Sequence, residues 1–526
     1  MSIVTFQFWN FVIIITVIYF LLPKKWQWLV ILCGNIIFYA SVGVKYIGMI
    51  GVMSLVSYLA AIKLEESSNV AQKVLPMLDD EGKKELKKSI LSIRQYICAI
   101  AIILVAGVWG ILKYSNFFIR NYNSIVTWIN ESWKVSEVAW ILPLGISFYI
   151  FHIIGYVVDV YRGKYPAERN FAKYFTFVTY FPHMIQGPFS RFDLLGKSIL
   201  HQHTFSYDRL CNGCARILWG LFKKLLVADK LGVVVNTIFN DYTSYSGIYI
   251  IFAIFSYCIE LYADFSGYMD MVCGLSSIWG IELSENFRRP YFAKTIDEFW
   301  RRWHITLGAW FKDYVFYPVS MGKIGQKLGK LARKKWGARV GKLVPGYFAL
   351  IFVWTATGLW HGASWSYLVW GYLNLLVIMS TMQLADFYEK LKKKCHIKNE
   401  NIIWRFFCII RTFTLVCFFR FFSTQPSLRE ALSTLKHTFM NLTIGEDFSL
   451  VNLFVGMESK DIWTVIFGTT LLIGVDVLQE LEVWEKIKKG CPMLIRNIVF
   501  ASIIMLIVLL SGGSSDLTGG FMYANF

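Results

Sequence analysis

The segment "DEFWRRWHITLGAWF", Asp297–Phe311, places Arg301, Arg302 and His304 among Trp300, Trp303 and Trp310 in a chain that is 56% hydrophobic. Charged side chains are costly inside a bilayer, so such a cluster marks either a site or a locally neutralised structural element. Spacing supports both readings. Thr295 and Glu298 form the S/T-x-x-E pattern of a capping box, and Pro290 discourages a helix arriving from upstream, so a helix is predicted to start at Thr295. On that helix Asp297 lies four residues before Arg301 and Glu298 four before Arg302, the acid-first order that favours ion pairs. The same spacing aligns Trp300, His304, Leu307 and Phe311 on one stripe, which predicts that His304 points into apolar surroundings with Gly308 leaving room beside it.

Outward from this segment the solvent is lipid. Twenty Trp, 43 Phe and a mean hydropathy of +0.48 describe a polytopic membrane protein rather than a set of soluble domains. Long apolar runs lacking the alternation of a barrel strand predict transmembrane helices. The candidates are Ile3 to Leu22, Trp28 to Val42, Ile47 to Ile62, Tyr96 to Ile119, Val138 to Tyr161, Phe171 to Gly187, Ala215 to Phe239, Trp404 to Phe422, Trp463 to Leu478 and Met493 to Ser511. Tyr245 to Ile281 and Pro345 to Leu384 are each long enough for two, giving about a dozen or more spans at roughly 20 residues per crossing. The first run lacks a preceding basic residue and a small-residue cleavage site, and Lys24 and Lys25 follow it; it is predicted to be a retained span with its amino end outward.

Lysine and arginine cluster in Lys63 to Arg94, Arg288 to Lys342, Lys390 to Lys398 and Lys486 to Lys489, which are predicted to lie on the cytoplasmic face. Lys223 and Lys224, at a predicted helix start, fit that scheme least well. The net charge of +18 is concentrated: Glu285 to Lys342 holds fourteen Lys/Arg against four acids. Without a soluble basic domain this charge points to anionic membrane lipid or a phosphorylated substrate and not to nucleic acid. "DDEGKKELKKS", within Glu65 to Lys88, suggests an exposed charged helix or turn, and "MGKIGQKLGKLARKKWGARVGK" a segment lying on the membrane surface. The ten cysteines fall mostly within apolar runs and behave as small hydrophobes; Cys211 and Cys214 form a C-x-x-C with no second pair.

A second histidine stands in "TATGLWHGASW", Thr355–Trp365. A buried imidazole needs a partner or stays neutral, and a neutral imidazole can accept a proton. Gly358 and Gly362 give a small-xxx-small face for close helix approach, and Trp354, Trp360 and Trp365 could wall a site. A hydrogen bond from His361 to a neighbouring helix is the competing reading.

Taken together, "FWRRWHITLGAWFKDYVFYP" and "GLWHGASW", with "LPLGISFYIFHIIGYVVDVYRG" (Leu142 to Gly163), "YFPHMIQGPFSRF" (Tyr180 to Phe192) and "YADFSGYMDMVCGL" (Tyr262 to Leu275), resemble the membrane-bound O-acyltransferase (MBOAT) family. The likeness spans much of Leu142 to Asn374 in the family's order. Within the family it is greatest to the bacterial branch of alginate O-acetyltransferase membrane proteins and teichoic-acid D-alanyl transfer proteins; the tail "GGFMYANF" and the helices after Phe422 favour the alginate type. The sequence after Pro318 reads "VSMGK" where that type has a glycine-rich "GGN" turn, which leaves the acceptor open.

The resemblance implies an all-α polytopic fold, a ring of tilted helices around a central cavity with short amphipathic or re-entrant helices. It divides the chain into N-terminal transmembrane helices (1–141, with a charged loop at 63–95), a catalytic core (142–384) and C-terminal helices (385–526). It implies transfer of an acyl group, taken to be acetyl, from a cytosolic thioester such as acetyl-CoA to a hydroxyl of a cell-surface or secreted polysaccharide. Transfer is direct or through an extracytoplasmic acetyltransferase or esterase-like partner, in the plasma membrane of a bacterium. No tightly bound cofactor and no metal are expected.

His361 is carried over as the general base. His304 supports it, by donating to the thioester carbonyl oxygen or by orienting the acceptor. Trp300, Trp303, Trp360, Ser364, Asp264 and Ser266 are candidate cavity-lining or substrate-binding residues. For Asp264, Ser266 and Asp270 the favoured reading is structural, tying helices together. His152, His183, His201, His203, His396 and His437 are assigned to packing or loops. D-alanyl transfer to teichoic acid is the alternative acyl chemistry. A transporter is the alternative class, although the His304 and His361 motifs have no counterparts in the first third of the chain.

Overall fold

The computed structural model describes residues 3–140, 142–443, 449–490 and 492–510; the tail "GGFMYANF" lies outside them. Within those residues the regular structure is helical, and extended backbone pairs at a single bridge, Phe287 with Trp303. Six helices are long and apolar enough to cross a membrane: 44–77, Asp80–Val126, Gly247–Ile278, Lys323–His361, Ile402–Thr424 and Ser459–Glu480. A seventh forms if Trp365–Gln383 is counted with the helix bent from it by 61°. Their outward surfaces are what lipid selects: Ile100, Ile103, Leu104 and Ile111 of Asp80–Val126 are all more than half exposed, a stripe no water-soluble helix would present. The chain is a multi-pass all-α membrane protein.

Fewer helices are long and apolar enough to cross than the apolar runs suggest, and four of those runs show how the difference arises. Tyr245 to Ile281 is one 32-residue helix, Gly247–Ile278, not two. Phe171 to Gly187 does not cross, because its helix Phe171–Val178 stops after eight residues and Pro182 stands in a following 3-10 turn. Phe6–Leu21 and Ile146–Tyr161 are apolar but short. "DDEGKKELKKS" opens the 47-residue helix Asp80–Val126, whose first turn is capped by the Asp79 carboxylate accepting from Gly82 N–H.

The chain divides into two compact units, Met1–Cys214 with Val272–Ser284, and Ala215–Met271 with Glu285–Phe526. In the first, Asn35 is wholly buried. Its amide donates to Thr176 O and Thr179 Oγ1 and accepts from Phe181 N–H, closing the backbone where Phe171–Val178 ends. His152 and His183 stack at 4.5 Å, with His152 Nε2 accepting from Ser190 N–H. His203 joins Tyr19 Oη and Gln27 in the same unit.

The second unit is built on backbone-close helix crossings. A Cβ on Gly220 would press into the Gly267 carbonyl oxygen, and one on Gly267 would lie 2.8 Å from Gly220 O. That approach brings Lys223 and Lys224 against Gly247–Ile278: Lys223 Nζ lies 2.7 Å from Asp270 and 3.1 Å from Ser266 Oγ, and Lys224 Nζ 2.7 Å from Asp264 and 2.8 Å from Asp229. The two lysines do not begin a helix; they stand in a π-helical turn, Lys223–Ala228, and both are buried. The small-xxx-small expectation at Gly358 holds, since a Cβ there would lie 2.7 Å from Tyr367 O, and Gly371 meets Trp354 O in the same crossing. His437, expected in a loop, is on helix Leu428–Met440 with Nε2 at 3.0 Å from Tyr245 O.

Gly220→Ala is expected to destabilise the protein by about 1–3 kcal/mol, the usual cost of overpacking. Gly107→Ala, where no atom stands within 4 Å of the new Cβ, should be neutral or stabilising. Thermal unfolding of both variants in detergent checks the pair.

Candidate active site

The capping box forms as expected. Thr295 Oγ1 accepts from Glu298 N–H at 3.1 Å, and the Glu298 carboxylate reaches back to Lys294 N–H at 2.9 Å, starting helix Ile296–Arg302. Asp297 pairs with Arg301, and Glu298 with Arg302 at 2.7 Å. Arg302 also meets Glu480 at 2.9 and 3.0 Å, and Arg289 binds the same carboxylate at 2.7 Å. Arg302 is therefore neutralised between two acids.

The predicted stripe through His304 does not form. The helix ends at Arg302, Trp303 is extended, and His304 is left-handed (φ 50°, ψ 50°) before a new helix, Ile305–Phe311. The backbone explains the break. Residues 302–305 pair with 286–288, with Arg288 N–H donating to Arg302 O (2.9 Å) and Ile305 N–H to Asn286 O (3.0 Å) around the Phe287–Trp303 bridge. These bonds satisfy groups that leave the helix, at a local strain of order 1–3 kcal/mol for a non-glycine in this region. The result places Asn286 beside His304 rather than a helical neighbour.

His304 is 1% exposed. Its ring meets the edge of Phe265 at 4.8 Å and lies 5.7 Å from Trp360, and Nδ1 is 3.3 Å from Asn286 Oδ1. Burial pushes the imidazole pKa down to about 3, so His304 is neutral at physiological pH. A Cβ on Gly308 would find its nearest neighbour at 3.9 Å, so the expected space exists.

His361 is the last residue of Lys323–His361, whose basic first part is separated by a non-helical Gly337 (φ 88°). It is buried, with ring neighbours Trp360 (4.8 Å), Trp370 (5.0 Å) and Tyr367 (6.3 Å, near parallel). Gly362 is required here, since a Cβ would enter the Tyr367 ring. Both histidine rings thus border the indole of Trp360, which is itself fully buried. Ser364 precedes the next helix, and its buried hydroxyl has no hydrogen-bond partner among the described residues, His361 included.

The other candidates separate. Trp300 donates to Asn374 Oδ1 and packs on Trp354 and Trp370. Trp303 stacks on Phe299, and the buried Arg420 guanidinium lies 5.5 Å from both Trp303 and Trp370. Asp264 and Ser266 face Lys224 and Lys223, while Phe265 between them touches His304, because successive helical residues point about 100° apart. Asn286 and Arg420 carry no local signal of these positions; each acquires its role from partners distant in sequence. An apolar cleft of about 460 Å³ in the first unit is lined by residues such as Ile15, Trp26, Val30, Cys33 and Ile37, and neither His304 nor His361 is among them.

The model of the MBOAT, membrane-bound O-acyltransferase family matches residues 165–333, which include Asn286 and His304 but end before His361. The chain is 33% identical over 355 residues to the "Probable alginate O-acetylase AlgI" of Azotobacter vinelandii, covering 67% of this chain and 63% of that one. It is 28% identical over 445 residues to the peptidoglycan O-acetyltransferase of Helicobacter pylori (79% and 73%). To the teichoic acid D-alanyltransferase of Bacillus subtilis it is 29% identical over 291 residues (54% and 69%). The alignment with the alginate-type relative thus spans a little under two thirds of that protein's length. A multi-pass helical architecture, the matched profile and this group of relatives agree: the chain belongs to the membrane-bound O-acyltransferase family.

Proposed function

We propose that this protein is a membrane O-acyltransferase that passes an acetyl group from a cytosolic thioester, acetyl-CoA, to a hydroxyl of a cell-envelope or secreted polysaccharide. The observation that carries it is the pair of buried imidazoles, His304 and His361, bordering one indole in a chain whose relatives bear O-acetylase names. His361 takes the proton of the acceptor hydroxyl as its oxygen attacks the thioester carbonyl carbon. The tetrahedral intermediate then collapses with cleavage of the C–S bond, and the leaving sulfur receives the proton from His361. General-base assistance of this kind contributes roughly 10²- to 10⁴-fold. Direct transfer is favoured over a Ser364 acyl-enzyme because that hydroxyl has no base bonded to it.

The basic segment Arg288 to Lys342 faces the cytoplasm of a bacterial plasma membrane in this reading, so the thioester enters from that side and the acceptor, or an extracytoplasmic partner that completes the transfer, from the other. Residues 142–384 form the catalytic core. D-alanyl transfer is the second reading, favoured by the Bacillus subtilis relative.

His361→Ala is expected to lower acetyl transfer roughly 10²- to 10⁴-fold while the protein still purifies as a monodisperse species. Mass spectrometry of ester-linked groups on envelope and secreted polymers reads the loss; normal acetylation by this variant would overturn the proposal, and loss of D-alanyl esters instead would select the second reading.

Sidedness gives a separate expectation. Membrane vesicles supplied externally with labelled acetyl-CoA should incorporate label only when the basic face is outward, with a cysteine placed at the exposed Lys330 reporting that face through an impermeant thiol reagent. Equal incorporation in both orientations would refute cytoplasmic donor entry.

A further inference from the structure

Asn286 has its amide held at both ends. Its oxygen accepts from Thr306 N–H at 3.0 Å and Thr306 Oγ1–H at 2.9 Å, its nitrogen approaches Met269 Sδ at 3.5 Å, and its own carbonyl accepts from Ile305 N–H. A backbone N–H can only donate, so the amide atom facing Thr306 N is the oxygen, and the amide cannot be turned over. That same oxygen is the atom 3.3 Å from His304 Nδ1. An amide oxygen has no hydrogen to give; the hydrogen between these atoms therefore belongs to the ring.

We infer that Asn286 is a positioning residue that holds His304 in the tautomer with its hydrogen on Nδ1, leaving Nε2 as a hydrogen-bond acceptor. A neutral imidazole carries one N–H, and the ring nitrogen that lacks it is fixed by the bond the other nitrogen makes. Burial keeps the second proton off. This deepens the acyltransferase reading and rests on it. Of the two roles open to His304, donation to the thioester carbonyl oxygen falls away, because both that oxygen and Nε2 present lone pairs. What remains is to accept an O–H and so orient a hydroxyl-bearing acceptor. The oxyanion must then be met by other N–H or O–H donors.

The left-handed backbone at His304 serves the same end. Pairing of 302–305 with 286–288 brings the ring opposite Asn286, a placement the continuous helical stripe would not give. Asn286→Asp preserves an acceptor toward Nδ1–H; Asn286→Ala removes it.

The test uses the full chain in lipid nanodiscs with ¹⁵N-labelled histidine, the His304 signals being assigned by their loss in His304→Gln. The wild type should show a protonated Nδ1 and a bare-lone-pair Nε2 shift at His304, Asn286→Asp should keep that pattern, and Asn286→Ala should lose it. With a soluble oligosaccharide as acceptor, Asn286→Ala should lower kcat/KM for the acceptor roughly 10- to 100-fold, the worth of one such hydrogen bond, with KM for acetyl-CoA unchanged, and Asn286→Asp should recover most of it. A wild-type spectrum with the hydrogen on Nε2, or equal losses in folded Asp and Ala variants, overturns the inference. The spectrum reads the tautomer even where Asn286→Ala does not fold. Absence of acetyl transfer by the wild type would instead refute the acyltransferase reading and leave the tautomer result standing.

Discussion

Hydrocarbon offers no water to a polar group, so every donor and acceptor that enters the bilayer must be satisfied by the chain itself. This constraint organises the second unit. Lys223 and Lys224 are buried cations, and they are tolerated because Gly220 and Gly267 let two backbones approach closely enough for Asp264, Ser266 and Asp270 to reach them. Buried ion pairs add little net stability against apolar replacements, but removing one partner is strongly destabilising, by about 3–5 kcal/mol. Their effect is to fix register: a one-residue slip of Gly247–Ile278 would strand two charges and turn Phe265 away from His304.

The same constraint explains the opening segment. Arg302 is not a catalytic cation searching for an anion; Glu298 and Glu480 already hold it, and Glu480 also holds Arg289. The charges around His304 fasten the ends of 286–305 to the Ser459–Glu480 helix, and the histidine itself is left among rings and one amide. An aromatic enclosure is a poor place for an imidazolium, and His304 accordingly stays neutral.

What could be read from sequence was what depends on neighbours within one helical turn. The capping box at Thr295 and the pairs Asp297–Arg301 and Glu298–Arg302 involve residues three or four apart, and all three are present. The membrane class and the isolation of two histidines in apolar settings were legible for the same reason, since composition and local pattern suffice. The stripe through His304 failed because a pairing with residues 286–288 outcompetes helix continuation, and nothing within Asp297–Phe311 encodes that partner. Likewise hydropathy registers how apolar Tyr245 to Ile281 is, but not whether it turns back; it continues as one helix. Lys223 and Lys224 fitted the charge scheme poorly because Asp270 and Asp264, which hold them, lie 47 and 40 positions away, with only Asp229 close in sequence to Lys224.

The two imidazoles border one indole but end up on different kinds of backbone. His361 terminates a long helix, so any positive charge that forms on it during proton transfer meets the negative end of that helix's dipole, an effect of about 0.3–1 kcal/mol. His304 opens a seven-residue helix from a strained left-handed position and has an amide oxygen at Nδ1. In the proposed reaction His361 gains and returns a proton, while His304 keeps its neutral form. When two titratable groups occupy environments that differ in this way, their roles in acid–base chemistry separate. The reaction proposed above moves one proton, from oxygen to sulfur, and within that proposal a base whose charge is transient works beside a hydrogen-bond acceptor that keeps its protonation.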